Sequence, residues 1–107
     1  MVASTIIESV RMYLRAVREN GIPVSFGVLF GSQARGAADE SSDIDLVVVS
    51  SHFDGKKDFE EVNKLWELTV DTDNRVEPIP VGEREWKEDD SRAIVEIARR
   101  EGQIVEV

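Results

Sequence analysis

At 107 residues the chain has room for a single domain built on one hydrophobic core, and not two. Apolar residues make up 41% and charged residues 33%, which excludes an intrinsically disordered chain, and no apolar run approaches the length of a membrane span. The net charge of −9 argues against a long nucleic acid, which needs a basic face; a nucleotide, whose phosphates metal ions neutralise, or a basic protein partner fits better. The chain has no cysteine, which excludes disulfides and thiolate metal sites and fits a reducing cytoplasm. The single histidine, His52, excludes a multi-histidine zinc site. The opening residues lack a basic segment followed by a long apolar one, so no secretory signal is expected and the expected location is cytoplasmic.

In chain order, residues 5–20 predict a helix. Thr5 and Glu8 have capping-box spacing, Ile6, Val10, Tyr13, Leu14 and Val17 share one face, and Gly21 followed by Pro23 ends it. Val24–Phe30 predicts a strand, in which Gly27 suggests a close approach by another backbone. Ser32–Arg35 reads as the first turn of a short helix stopped by Gly36, and Ala37–Ser42 as a polar loop. Ile44–Val49 is hydrophobic almost throughout, as in a central strand covered on both faces. Ser50–Lys57 predicts a loop in which His52 is solvated. Asp58–Asp71 predicts a second long helix burying Phe59, Val62, Leu65, Trp66 and Thr69, with Trp66 as a core anchor. After a turn at Thr72–Asn74 comes a strand, Arg75–Val81, whose Pro78 and Pro80 silence the same side and so predict an edge position. Gly82–Trp86 is a turn or short helix, with Trp86 expected in the core. Ser91–Arg100 is a last helix with Ile94, Val95, Ile97 and Ala98 inward, and Ile104–Val107 a last short strand. This is an α/β (α+β) pattern with a small sheet of three to four strands packed with helices; its topology stays open.

The chemistry concentrates between Leu29 and Val49. Asp43 and Asp45, one residue apart at the head of a strand, present both carboxylates to one face. Like charges that close repel unless a cation lies between them, and magnesium favours hard oxygen ligands combined with substrate phosphates. A third carboxylate on a neighbouring strand completes a two-metal site, of the kind that activates an attacking oxygen and offsets the charge developing at phosphorus. Glu77 has the parity for that place. Gly31 at a strand end lets a ligand approach the backbone, the following N–H groups and the Ser32 hydroxyl can meet phosphates, and Arg35 suits either a phosphate or a structural ion pair. No lysine follows a glycine-rich loop, so this is not a Walker-type site. A glycosyltransferase Asp-x-Asp site is disfavoured because the chain is too short to add an acceptor site.

In sum of motif, GSQARGAADESSDIDLVVV resembles the signature of the minimal nucleotidyltransferases, the small branch of the DNA polymerase beta-like superfamily, through Gly31, Ser32, Ala34, Arg35, Gly36, Ser42, Asp43, Asp45 and Leu46. The closing ARREGQIVEV is similar to that family's last helix and strand. The resemblance implies that Gly31 and Ser32 hold nucleotide phosphates and that Asp43 and Asp45 bind magnesium. It implies that Glu77, where Asp is usual, supplies the third carboxylate, and that two ions act together. It further implies transfer of a nucleoside monophosphate, with ATP the expected donor, to a hydroxyl. Members are often encoded beside a helical HEPN-type protein as antitoxin and toxin, and a tyrosine of that partner is one acceptor. The alternative is a partner-binding antitoxin with a degenerate site. A partner or a second copy, completing the cleft, would suit so small a domain.

Overall fold

The computed structural model describes residues 3–31, 33–34, 42–88 and 91–107. The first helix, α1 (Ser4–Glu19), begins one residue earlier than the spacing predicts, so Thr5 falls inside the first turn. Ala3 takes the cap position without a side-chain hydrogen bond, and the Glu8 carboxylate accepts from Arg11 at 3.2 Å. The expected capping box therefore does not form. The far end closes as its Gly21 predicts. Gly21, at φ +91°, donates its N–H to the Arg18 carbonyl, and Ile22 donates to the Val17 carbonyl.

Four strands, β1 (Phe26–Phe30), β2 (Ile44–Val49), β3 (Val76–Val81) and β4 (Gln103–Val105), form one mixed sheet in the order β3-β2-β1-β4. β1 is antiparallel to both β2 and β4. β2 and β3 are parallel, which requires a crossover, and α2 (Phe59–Asp71) supplies it. Asp58 caps α2 by accepting from the N–H groups of Glu60 and Glu61.

β3 lies at the edge, as its prolines predict. Ile44 donates its N–H to the Arg75 carbonyl and Ser50 donates to the Val81 carbonyl, so the odd-numbered residues of this strand turn their main-chain groups to β2. The main-chain groups of Pro78 and Pro80 point to the free edge, while the Val76 side chain is buried. The prolines bring no donor, and the Pro80 carbonyl accepts from Arg92 Nη2 at 3.0 Å.

The sheet divides the expected single core into two clusters. Ile44, Leu46 and Val48 meet Val10, Tyr13, Leu14 and Leu65 from α1 and α2 on one face. Val28, Phe30, Val47, Val49 and Val81 meet Val95 and Ala98 of α4 (Ala93–Glu101) on the other. β2 is thus covered on both sides, as its unbroken apolar run predicts. A Cβ at Gly27 would come within 2.8 Å of Leu14 Cδ1 and 3.1 Å of Leu46 Cδ1. The close approach expected there is made by leucine side chains and not by another backbone.

Two helix faces differ from the spacing's prediction. In α2 the buried residues are Leu65, Leu68 and Thr69, whereas Phe59 is 76% and Trp66 48% exposed. Buried Tyr13 of α1 needs an acceptor and finds the Leu65 carbonyl at 2.7 Å, which fixes the rotation of α2 with Trp66 outside. Trp66 is therefore not a core anchor. In α4, Val95 and Ala98 point inward while Ile94 and Ile97 are partly exposed, because a helix lying on a sheet buries only a narrow stripe. His52 sits in a short 3₁₀ turn, Ser51–Phe53, and is exposed as expected, with Nδ1 2.7 Å from Glu61 Oε2. Trp86, on the short helix α3 (Glu83–Glu88), joins the second cluster as expected, edge-on to Phe26 with ring centroids 5.8 Å apart. Among the described residues no helix is long and apolar enough to cross a membrane.

These burials separate two neighbouring positions in α2. Leu65→Ala should cost about 2–5 kcal/mol through its cavity, and Trp66→Ser less than about 1 kcal/mol, in urea unfolding followed by circular dichroism.

Candidate active site

Asp43 is exposed just before β2, and Asp45 is the second residue of the strand. In the parallel β2–β3 register Asp45 lies opposite Glu77, and in the antiparallel β1–β2 register it lies opposite Phe30. Cross-strand partners share a face, so Asp45 sits between the buried Phe30 ring and Glu77. The carboxylates project from the α4 face of the sheet, at the end where β2 and β3 start and β1 stops.

Gly31 follows β1 directly, at φ +77°. Asp45 Oδ2 occupies the space that a Cβ at position 31 would need, with Cγ 3.3 Å from it. Glycine is required here twice, for its left-handed backbone and for room beside the carboxylate. Sequence reasoning assigned Gly31 to phosphates alone; its packing against Asp45 has no local signal, because the two residues meet only through the β1–β2 register.

Two supports were also missed. Gln33, buried although polar, donates Nε2 to the Ser42 carbonyl at 3.1 Å and so ties the end of β1 to the residue before Asp43. It occupies the unspecified position of the Gly-Ser-x-Ala-Arg motif, so the pattern carried no hint of it. Asp73 fixes the start of β3. Its Oδ1 accepts from the Arg75 N–H and from Nε, both at 3.0 Å, and its Oδ2 accepts from Nη2 at 2.6 Å. That clasp precedes Glu77, and an Asp two residues before an Arg in a turn was its available signal. Ser32, Arg35, Gly36 and the expected loop Ala37–Ser42 apart from Ser42 itself lie outside the described residues, as does the short helix expected at Ser32–Arg35 apart from Gln33 and Ala34, which lie in a turn.

Electrostatics follow the geometry. Partial burial, then the charges of Asp43 and Asp45, raise the Glu77 carboxyl above the usual range. The hydrogen bonds from Arg75 hold Asp73 below it. The donor set of Asp43, Asp45 and Glu77 is all hard oxygen, and its mutual repulsion is what a divalent cation relieves. Among the described residues no three such side chains close into a cage around an ion. Magnesium does not need one, since it takes one or two carboxylates and fills its shell with water and phosphate oxygens. The residues fit the ion in this open sense. His52 lies beyond the opposite end of β2 from Asp45, and so does a hollow of about 490 Å³ lined by Phe53, Asp54, Lys57 and Arg84.

The chain matches the family model described as nucleotidyltransferase domain over residues 10–104, and it belongs to that family. Two solved structures share the fold. One, a protein from Sulfolobus solfataricus provisionally assigned as a nucleotidyltransferase, has a TM-score of 0.61 and 16% identity, covering 92% of this chain and 77% of that one. The other is a toxin–antitoxin structure with AMP-PNP, with a TM-score of 0.62 and 21% identity, covering 92% of this chain and 71% of that one. No curated protein sequence matches the chain.

The two shifted carboxyls give opposite pH dependences. Glu77 holds its proton more tightly when folded, so its stability contribution is present below its unfolded pKa and lost as pH rises through the raised value. Asp73 contributes above its unfolded pKa, and that stability is lost as pH falls through its lowered value. In chelator-treated protein, melting temperature against pH should therefore flatten on the high side of the carboxylate range in Glu77→Gln and on the low side in Asp73→Asn.

Proposed function

We propose that the domain transfers a nucleoside monophosphate, AMP from ATP, to a hydroxyl acceptor. The observation that carries this reading is the β2–β3 register, in which Glu77 lies opposite Asp45 and its carboxyl responds to Asp43 and Asp45. In this reading Asp43, Asp45 and Glu77 hold magnesium, as two ions, while Gly31, Ser32 and Arg35 meet the phosphates. Bound magnesium would offset the negative charge that develops at phosphorus. The acceptor oxygen attacks the α-phosphorus of ATP; the new O–P bond forms as the bond to the β-phosphate oxygen breaks, pyrophosphate leaves, and the hydroxyl proton passes to solvent water. Phe30 makes an apolar wall beside Asp45 and limits water on that flank. The acceptor in this reading is a tyrosine hydroxyl of a helical HEPN-type toxin, and the domain acts as its antitoxin in the cytoplasm. A fold neighbour solved as a toxin–antitoxin with AMP-PNP supports the nucleotide and partner by analogy of fold.

A second reading, neutralisation by contact alone, is favoured by the exposed apolar residues of α2 and by the open arrangement of the carboxylates. One experiment separates the two. Asp43→Asn/Asp45→Asn should abolish magnesium-dependent labelling of a co-expressed HEPN-type partner by α-labelled ATP, and with it the rescue of growth. If the wild-type chain binds no ATP in calorimetry with magnesium, transfer is ruled out; if the double variant still rescues growth, contact alone suffices. Glu77 also sets the expected rate. A misplacement of about 1 Å costs roughly a hundredfold. Glu77→Asp shortens the side chain by one methylene on this edge strand, and should lower the labelling rate by about that factor if the longer side chain is the one fitted to this backbone.

A further inference from the structure

α2 carries two apolar rows, and only one is used by the fold. Leu65, Leu68 and Thr69 are buried. Phe59, Trp66 and Val70 form a second row at i, i+7 and i+11 and are 76%, 48% and 79% exposed. At ~100° per residue these three fall within about 40° of one another around the helix. Each is followed by an exposed acid, Glu60, Glu67 and Asp71, so an acidic row runs beside the apolar one at the same spacing. Lys64, on the far side of that acidic row, stands 3.5 Å from Glu67.

The position of the row is also defined. Glu60, Glu61 and Lys64 line a hollow with Asn20 and Ile22 at the end of α1, so the acidic row lies between that hollow and the apolar row. The row of Phe59, Trp66 and Val70 therefore occupies the flank of α2 turned away from α1, on the β3 side. The carboxylates of Asp45 and Glu77 project from the opposite face of the sheet, so the chemistry described above does not explain these residues.

We infer that this flank of α2 is a docking surface for a basic amphipathic helix of another protein, one that presents apolar side chains at the same spacing with Lys or Arg beside them. Charge selects this occupant. A second copy of the chain would bring the same acidic row and a net charge of −9 to the contact. An added strand is disfavoured on the neighbouring edge, because Pro78 and Pro80 offer no donors and Arg92 holds the Pro80 carbonyl. An anionic lipid surface would repel Glu60, Glu67 and Asp71. A helix with the reverse charge satisfies both rows at once, apolar against apolar and basic against acidic. The inference is independent of the transfer reaction; it shares the exposed residues of α2 with the contact reading above and states the chemistry of the partner they would take.

The test uses the full chain carrying Trp86→Phe, so that fluorescence reports Trp66 alone. The probe is a synthetic helical peptide with leucines at the heptad a and d positions and lysines flanking them; a counterpart replaces each lysine by glutamate. The lysine peptide should shift Trp66 emission to the blue, saturably and less so as salt rises. Phe59→Ser/Val70→Ser, which keeps every charge, and Glu60→Gln/Glu67→Gln/Asp71→Asn, which keeps every apolar residue, should each weaken binding by about tenfold or more. Both sets lie on exposed positions, and circular dichroism establishes that each variant is folded. Equal binding of the glutamate peptide overturns the inference, as does unchanged binding by Phe59→Ser/Val70→Ser. It is also overturned if sedimentation finds the free chain dimeric and that variant monomeric, since the surface then belongs to a second copy.

Discussion

The parallel pairing of β2 with β3 is the constraint on which the site depends. It sets Glu77 beside Asp45 from more than thirty positions away in sequence, and a slip of one residue would send Glu77 to the other face of the sheet. Several features hold that register. The Asp73–Arg75 clasp fixes where β3 begins, and the Ile44 N–H to the Arg75 carbonyl starts the ladder. Val76 and Val81 are buried at the two ends of the strand, on opposite faces of the sheet, so a slip would exchange both for partly exposed neighbours. The register is therefore specified by packing and by main-chain bonds, which leaves Glu77 free to be an unfavourable neighbour of two acids. A group of like charges held together by strands that are stable for other reasons is a common way for a fold to carry reactive chemistry.

The two faces of the sheet divide the labour. α1 and α2 cover the face made by Ile44, Leu46 and Val48, where the larger cluster lies. The other face is covered by α4 and Trp86 over Val47, Val49 and Val28, and the carboxylates take its uncovered end. Asp45 and Val47 follow the same parity in one strand, so the site and the second cluster are built from a single alternation of side chains. Nothing about the carboxylate end interrupts the strand that carries it.

How much of this was legible in the sequence depended on the kind of signal involved. The strands announced themselves through runs such as LVVV, and the edge position of β3 through the parity of Pro78 and Pro80. The proximity of Asp43, Asp45 and Glu77 followed from period-two geometry together with one assumption, that their strands are neighbours. What failed was the choice between two apolar rows on one helix. Phe59, Trp66 and Leu65 all satisfy helical spacing, and the row that is buried is the one that packs Leu65 and Leu68 into the larger cluster and offers the Leu65 carbonyl to the Tyr13 hydroxyl. The role of Gln33 was equally invisible, since its partner is a main-chain carbonyl and carries no side-chain identity.

That glutamine has a further consequence. By joining the end of β1 to Ser42, it ties the residue before Asp43 to the strand that Asp45 faces. The acceptor is a main-chain carbonyl, so a new side chain at position 42 leaves this bond in place, whereas a new side chain at position 33 removes it. The anchorage of the carboxylates therefore rests on a residue with no charge to offer, and a substitution there reaches them through the backbone alone.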